Sequence, residues 1–242
     1  MLLEEELRLS RLATHWTLLR KSQEPSKDSR AAQEELLARY RPAVHRYLLA
    51  VVRDAHVADD LAQEFCLKFV RGDFHRATPN RGRFRDYIKT VLYHLVTGHH
   101  RQRPWHLAGN DSAAELAAAE TPSFDDNWRT ELLERTWTEL RARRPLYHAA
   151  LRFHVDNPEL PTVALAVHLG QERGLPMTGV SARQTLHRAR RLFAQLLLRE
   201  VRESLVDPTP EQFEAELREL NLWAYCSQLA PRVDSADSQA AS

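Results

Sequence analysis

Glycine is scarce, at 7 residues in a chain of 242. Alternating apolar runs bounded by turn residues are also hard to find, and a β-sandwich or barrel needs both. The two scarcities predict an all-α protein. Cysteine is nearly absent. Cys66 and Cys226 stand alone, which excludes a disulfide framework or a cysteine zinc site and suits a reducing cytoplasm. No apolar run reaches the ~18 residues that crossing a bilayer takes. The opening MLLEEELRLS carries acids early and lacks a basic stretch followed by an apolar one, so no signal peptide and a cytoplasmic location are expected. A nucleophile motif, a phosphate-binding loop and a metal-ligand set are all missing. The expectation is a protein that is not an enzyme and carries no cofactor and no metal.

Apolar residues make up 43% of the chain and aromatics 8%, enough for one large or two small packed domains. Residues 2–20 read as a helix with Leu12, Trp16 and Leu19 on one stripe, followed by the polar SQEPSKDS. Residues 31–53 place Leu36, Tyr40, Val44 and Leu48 at helical spacing, with Pro42 inside and expected to kink or divide the helix. Residues 57–71 follow with Val57, Leu61, Phe65 and Phe69, then a loop at 72–83. The proline-bounded, small-residue segment 105–123 reads as a linker. A second helical set follows at 125–143, 146–155, 161–173 and 181–206. Thr209-Pro210-Glu211-Gln212 is a capping box that opens one more helix. The expected order is an N-terminal helix and linker (1–30), a domain (31–104), the linker (105–123), a second domain (124–206), and a C-terminal helix with a disordered tail (207–242).

The net charge is only +1, but it is an average over blocks. Residues 54–67 hold Asp54, Asp59, Asp60 and Glu64 and no Lys or Arg. Residues 68–105 hold nine Lys or Arg against Asp73 and Asp86. Residues 111–139 are acidic, and residues 181–202 hold six Arg against Glu200. Two basic blocks separated by an acidic one suggest two contacts with an anionic polymer. Solvated faces that balance within the fold remain an equal reading of charge alone.

The stretch FRDYIKTVLYHLVTGHHRQRPW, 84–105, sharpens this. Phe84, Tyr87, Ile88, Val91, Leu92, Leu95 and Val96 make a continuous apolar stripe. The other side offers Arg85, Lys89, Tyr93 and His94, and His99, His100, Arg101 and Arg103 follow Gly98. Cations in the last turn suit the helix dipole. The dipole does not account for Arg76, Arg81, Arg83 and Arg85 at the other end. A basic helix with aromatic tips suits a nucleic acid, whose phosphates meet cations and whose bases stack on rings. The spacing of His94, His99 and His100 splays them around a helix, so they do not converge on a metal. In the second basic block, GVSARQTLHRARRLF (179–193), Ser181 reads as an N-cap. Arg183, Gln184, His187, Arg188, Arg190 and Arg191 crowd the turns after it. TVALAVHLG precedes it, and the pair makes a helix-turn-helix candidate.

YRPAVHRYLLAVVRDAHVADDLAQEFCLKFV followed by GRFRDYIKTVLYHLVTGHHRQR resembles region 2 of bacterial ECF (extracytoplasmic-function) sigma factors. FDDNWRTELLERTWTEL, then LG, then LHRARRLFAQLLLREV is similar, more loosely, to their region 4, with added terminal helices. The resemblance implies an all-α pair of domains and core RNA polymerase, promoter DNA and an anti-sigma factor or other regulator as partners. It implies that Asp59, Asp60, Gln63 and Glu64 bind polymerase. It puts Arg83, Arg85, Lys89, Tyr93, His94, His100, Arg101 and Arg103 on the melted minus-ten strand. Ser181, Arg183, Gln184, His187, Arg188, Arg190 and Arg191 go to the minus-thirty-five groove. The family often has Asn and Asp where His94 and Gly98 stand, and 171–179 makes a turn longer than a compact helix-turn-helix. Two other readings stand beside it: a sigma-like interaction module that does not start transcription, and a nucleic-acid enzyme that uses the histidines.

Overall fold

The computed structural model describes residues 15–23, 29–73, 83–102, 123–205 and 208–226. Among them the secondary structure is all α-helix, with no strand. The helices are α1 His15–Gln23, α2 Ser29–Val52, α3 Ala55–Val70, α4 Phe84–Gln102, α5 Phe124–Arg143, α6 Pro145–Asp156, α7 Thr162–Arg173, α8 Gly179–Glu203, α9 Pro210–Glu219 and α10 Trp223–Cys226. Most of the 2–20 helix, most of the 72–83 loop, nearly all of the 105–123 linker, Arg76, Arg81, Arg103 and the tail from 227 lie outside the described residues, as do the side chains of Leu12 and Trp16.

The chain forms two compact units. One takes in Met1–Glu131 with Arg202–Pro208, the other Leu132–Val201 with Thr209–Ser242. Helices α5 and α8 therefore each contribute residues to both.

In the first unit α2 packs on α1, α3 and α4. Pro42 does not divide α2, which runs unbroken past it. An interior proline removes one ladder bond at a cost of about 3 kcal/mol. Here Tyr40, Ala43, Val44 and Leu48 are all nearly fully buried around it, and that burial offsets the loss. The helix ends at Arg53, whose left-handed backbone (φ 55°) turns the chain at once. Asp54 then caps α3, its carboxylate accepting from the N–H groups of His56 and Val57 at 2.9 and 3.2 Å. The core holds Leu36, Tyr40, Phe65, Phe84, Ile88 and Leu92. The start of α5 completes it. Trp128 stacks on Tyr40 with centroids 4.6 Å apart, and Phe84 meets Tyr40 edge-on at 5.1 Å. Arg46 pairs with Glu131, and Arg39 with Glu203, each at 2.8 Å.

In the second unit α6 packs on α7. Trp137 of α5 lies 4.8 Å from Phe193 of α8 between ring centroids, and Arg135 reaches Glu200 at 3.0 Å. Leu132, Leu140, Leu169, Leu197 and Leu217 are fully buried. The capping box at Thr209 forms as the sequence implies, with Gln212 reciprocating and Pro210 in the first turn.

Three glycines behave differently. Gly174 ends α7 with φ 67°, a conformation only glycine adopts without strain. Gly170 lies under the turn that follows. A Cβ there would stand 3.2 Å from the Leu175 carbonyl and 3.4 Å from the Met177 nitrogen. Gly98, inside α4, faces open space. Ala in place of Gly gains up to about 1 kcal/mol of helix propensity, and overpacking costs about 1–3. The Leu175 carbonyl is backbone, held by the Leu175 N–H bond to the Gly170 oxygen at 3.1 Å, so it cannot yield cheaply. Gly98→Ala is expected to stabilise by about 0.5–1 kcal/mol and Gly170→Ala to destabilise by about 1 kcal/mol. Thermal melts of the two variants beside the parent check both signs.

Candidate polymerase and nucleic-acid surfaces

Helix α3 turns Ala58, Leu61, Ala62, Phe65 and Phe69 into the first unit. The same 3.6-residue period leaves Asp59, Asp60, Gln63 and Glu64 exposed on its outer side. Asp59 meets His45 at 2.8 Å and Glu64 meets Lys68 at 3.4 Å. Leu67, on the same face and 53% exposed, and Val70, at 51%, extend it. Asp60, Gln63, Glu64 and Leu67 fall at i, i+3, i+4 and i+7, one stripe along the helix. The sequence reading missed Leu67 and Val70. An apolar residue three positions beyond Glu64, on the polar side of an amphipathic helix, was the available signal.

Helix α4 divides lengthwise. Phe84, Ile88, Leu92 and Leu95 are buried, while Tyr93 is 64% exposed and His94, His100 and Arg101 face outward. The cations of its first half are occupied. Arg83 pairs with Asp86 at 3.0 Å, and Lys89 reaches Asp86 at 3.0 Å and Asp125 at 2.9 Å. Arg85 is buried, 3.0 Å from Asp125. Its position differs from the outward face expected of it. A guanidinium is taken from water only where a carboxylate meets it, and that carboxylate sits on α5. No such ion pair covers His94, His99, His100 or Arg101 among the described residues. The rings of Tyr93 and His94 lie 5.6 Å apart, and those of His99 and His100 5.9 Å apart. Three or more metal-binding side chains gather nowhere among the described residues.

Burial would raise the Asp86 carboxyl, but hydrogen bonds and charge from Arg83 and Lys89 outweigh it and hold it below the usual aspartate range. A carboxyl lowered in the folded state stabilises the fold above its unfolded pKa, and that contribution is lost as pH falls through the folded value. Asp86→Asn is therefore expected to lower the melting temperature at about pH 6, and the difference is expected to shrink as pH falls through the lowered folded value and Asp86 becomes protonated. A pH series of melts for the pair checks the convergence.

Helix α8 presents the second basic block in the open. Ser181, Arg183, Gln184, His187, Arg188, Arg190 and Arg191 are all exposed, while Ala182, Leu186, Ala189 and Phe193 are buried. The helix begins earlier than expected, at Gly179. Thr178 is the cap in place of Ser181: its carbonyl accepts from the Ala182 N–H at 2.9 Å, and its hydroxyl accepts from the Ser181 N–H at 3.2 Å. Helix α7 also runs on through Arg173, so the turn comprises residues 174–178 and is shorter than 171–179. Arg190 contacts the His154 ring. Burial and the Arg190 charge lower the His154 pKa, favouring its neutral form.

Residues 36–106 match the family model described as Sigma-70 region 2. The span includes most of α2 and all of α3 and α4. The match spans 71 of the 242 residues, and for that region it supports a sigma-factor-like role in RNA polymerase binding. Neither a curated protein nor a solved structure matches the chain. No helix among the described residues is long and apolar enough to cross a membrane.

Proposed function

We propose that the chain is an ECF-type sigma factor that binds core RNA polymerase and directs promoter recognition and transcription initiation. The observation that carries this reading is the coincidence of the region 2 match with an exposed stripe of Asp60, Gln63, Glu64 and Leu67 on α3. In this reading that stripe, with Asp59, docks on basic groups of the polymerase. Tyr93, His94, His100 and Arg101, with Arg103 beyond them, hold the melted minus-ten strand by stacking and phosphate contact. Arg83, Arg85 and Lys89 serve mainly to set the position of α4, because Asp86 and Asp125 neutralise them. The exposed side of α8 enters the minus-thirty-five major groove. Arg183, Gln184 and Arg188 read base edges, with Ser181 and His187 beside them. Arg190 and Arg191 meet phosphates. An anti-sigma factor or other regulator would cover one of these faces. The role needs no cofactor.

Selection of DNA from a random pool by the reconstituted holoenzyme tests the proposal. Enrichment of two separated sequence blocks is expected, with Arg188→Ala relaxing the upstream block alone. A pool that stays random counts against it. The carboxylate cover on Arg85 and Lys89 favours a second reading, a sigma-like interaction module that binds polymerase without opening DNA.

A further inference from the structure

The second unit contains a cavity of about 710 Å³ that the DNA-facing roles leave unexplained. Its size falls within the range of about 300–1,000 Å³ typical of small-molecule sites. Trp137, Leu151, Phe193 and Ala194 form an apolar floor. The exposed His187, Arg190 and Arg191 of α8 form its rim with His154 of α6, and Ala224 and Tyr225 of α10 line it as well. No carboxylate among the described residues lines it. Arg190 and Arg191 are exposed, and no acid among the described residues pairs with either.

An apolar floor under an uncompensated cationic rim selects one ligand chemistry. A neutral apolar molecule would leave the rim charges without partners, and an inorganic anion would leave the floor wet. We propose that this cavity binds a small organic anion with an apolar body, of the aryl- or alkyl-carboxylate class. The body lies against Trp137 and Phe193, and the carboxylate accepts from Arg190 and Arg191. Arg190 and Arg191 are also the residues assigned above to promoter phosphates, so the bound anion competes with duplex DNA. The binding itself stands apart from the proposed function, and only the competition rests on it.

The test uses the full chain, with 2-naphthoate as the probe and 2-naphthylmethanol as its neutral counterpart, by calorimetric titration. Naphthoate is expected to bind at least tenfold more tightly than the alcohol. Arg190→Gln with Arg191→Gln should cost naphthoate tenfold or more and leave the alcohol unchanged. Ala224→Trp, at an exposed position in the mouth, should block both while the basic face of α8 stays intact. Equal affinity for the two probes, or full binding by Ala224→Trp with an unchanged circular-dichroism melt, would overturn the proposal. In a second arm, saturating naphthoate should weaken duplex binding threefold or more in the parent chain and leave Ala224→Trp unaffected. A parent chain that binds naphthoate as described but no duplex would refute the reading of α8 and leave the ligand site standing.

Discussion

Trp128→Ala is expected to destabilise the first unit by about 3–5 kcal/mol, the range for removing a large buried aromatic. Trp128 is 1% exposed and stacked on Tyr40, which in turn meets Phe84 at the start of α4. Truncation opens a cavity between three helices, α2, α4 and α5, none of which can collapse without losing its other contacts. Trp128→Phe keeps a ring against Tyr40 and is expected to cost markedly less. The measurement is urea unfolding followed by circular dichroism, with the midpoint and slope read separately. A cost below about 1 kcal/mol would mean that the start of α5 is not part of this core. Asp125 stands three residues before Trp128 and holds Arg85 and Lys89. The variant should therefore also weaken the Asp125 contacts with Arg85 and Lys89, while Lys89 keeps its pair with Asp86.

The second large effect is on association. Asp60→Lys together with Glu64→Lys is expected to weaken binding to core RNA polymerase by at least about thirtyfold, because like charges set across an interface cost several kcal/mol. Both residues are exposed, and losing the Glu64–Lys68 pair should cost the fold only roughly a few tenths of a kcal/mol. The cap of α3 is Asp54, which the substitutions leave in place. Leu67→Ala should weaken binding by a smaller factor and remove its apolar component. Titration of labelled chain with core polymerase, beside a thermal melt of each variant, separates docking from folding. Unchanged affinity in the charge-reversed protein would make this face ordinary solvated helix.

Much of this architecture was legible from local spacing. The stripe from Phe84 predicts the start of α4 and four of the residues it buries, Phe84, Ile88, Leu92 and Leu95, while Tyr87, Val91 and Val96 are half-buried. The Thr209 box marks the start of α9 because its two hydrogen bonds lie within four residues of sequence. The outward position of Asp59, Asp60, Gln63 and Glu64 follows from helical period alone once Leu61 and Phe65 are placed inward. Two of the misreadings share a cause in contacts distant along the chain. Arg85 reads as surface until Asp125, forty residues on, is brought beside it. Pro42 reads as a breaker because the burial that offsets it comes from packing against other helices. The cap of α8 fell to Thr178 rather than Ser181, a short-range error, since either hydroxyl satisfies the same sequence pattern. The cavity beside Trp137 is built by α5, α6, α8 and α10, so no single segment announces it.

Run-off transcription with core RNA polymerase tests the central claim most directly, on a template carrying a promoter selected by the holoenzyme. Core polymerase alone should give no discrete product, and adding the chain should give a single transcript from the selected site. The Asp60→Lys, Glu64→Lys protein should give none. A chain that binds core polymerase tightly yet yields no discrete transcript would contradict the account and leave a sigma-like interaction module in its place.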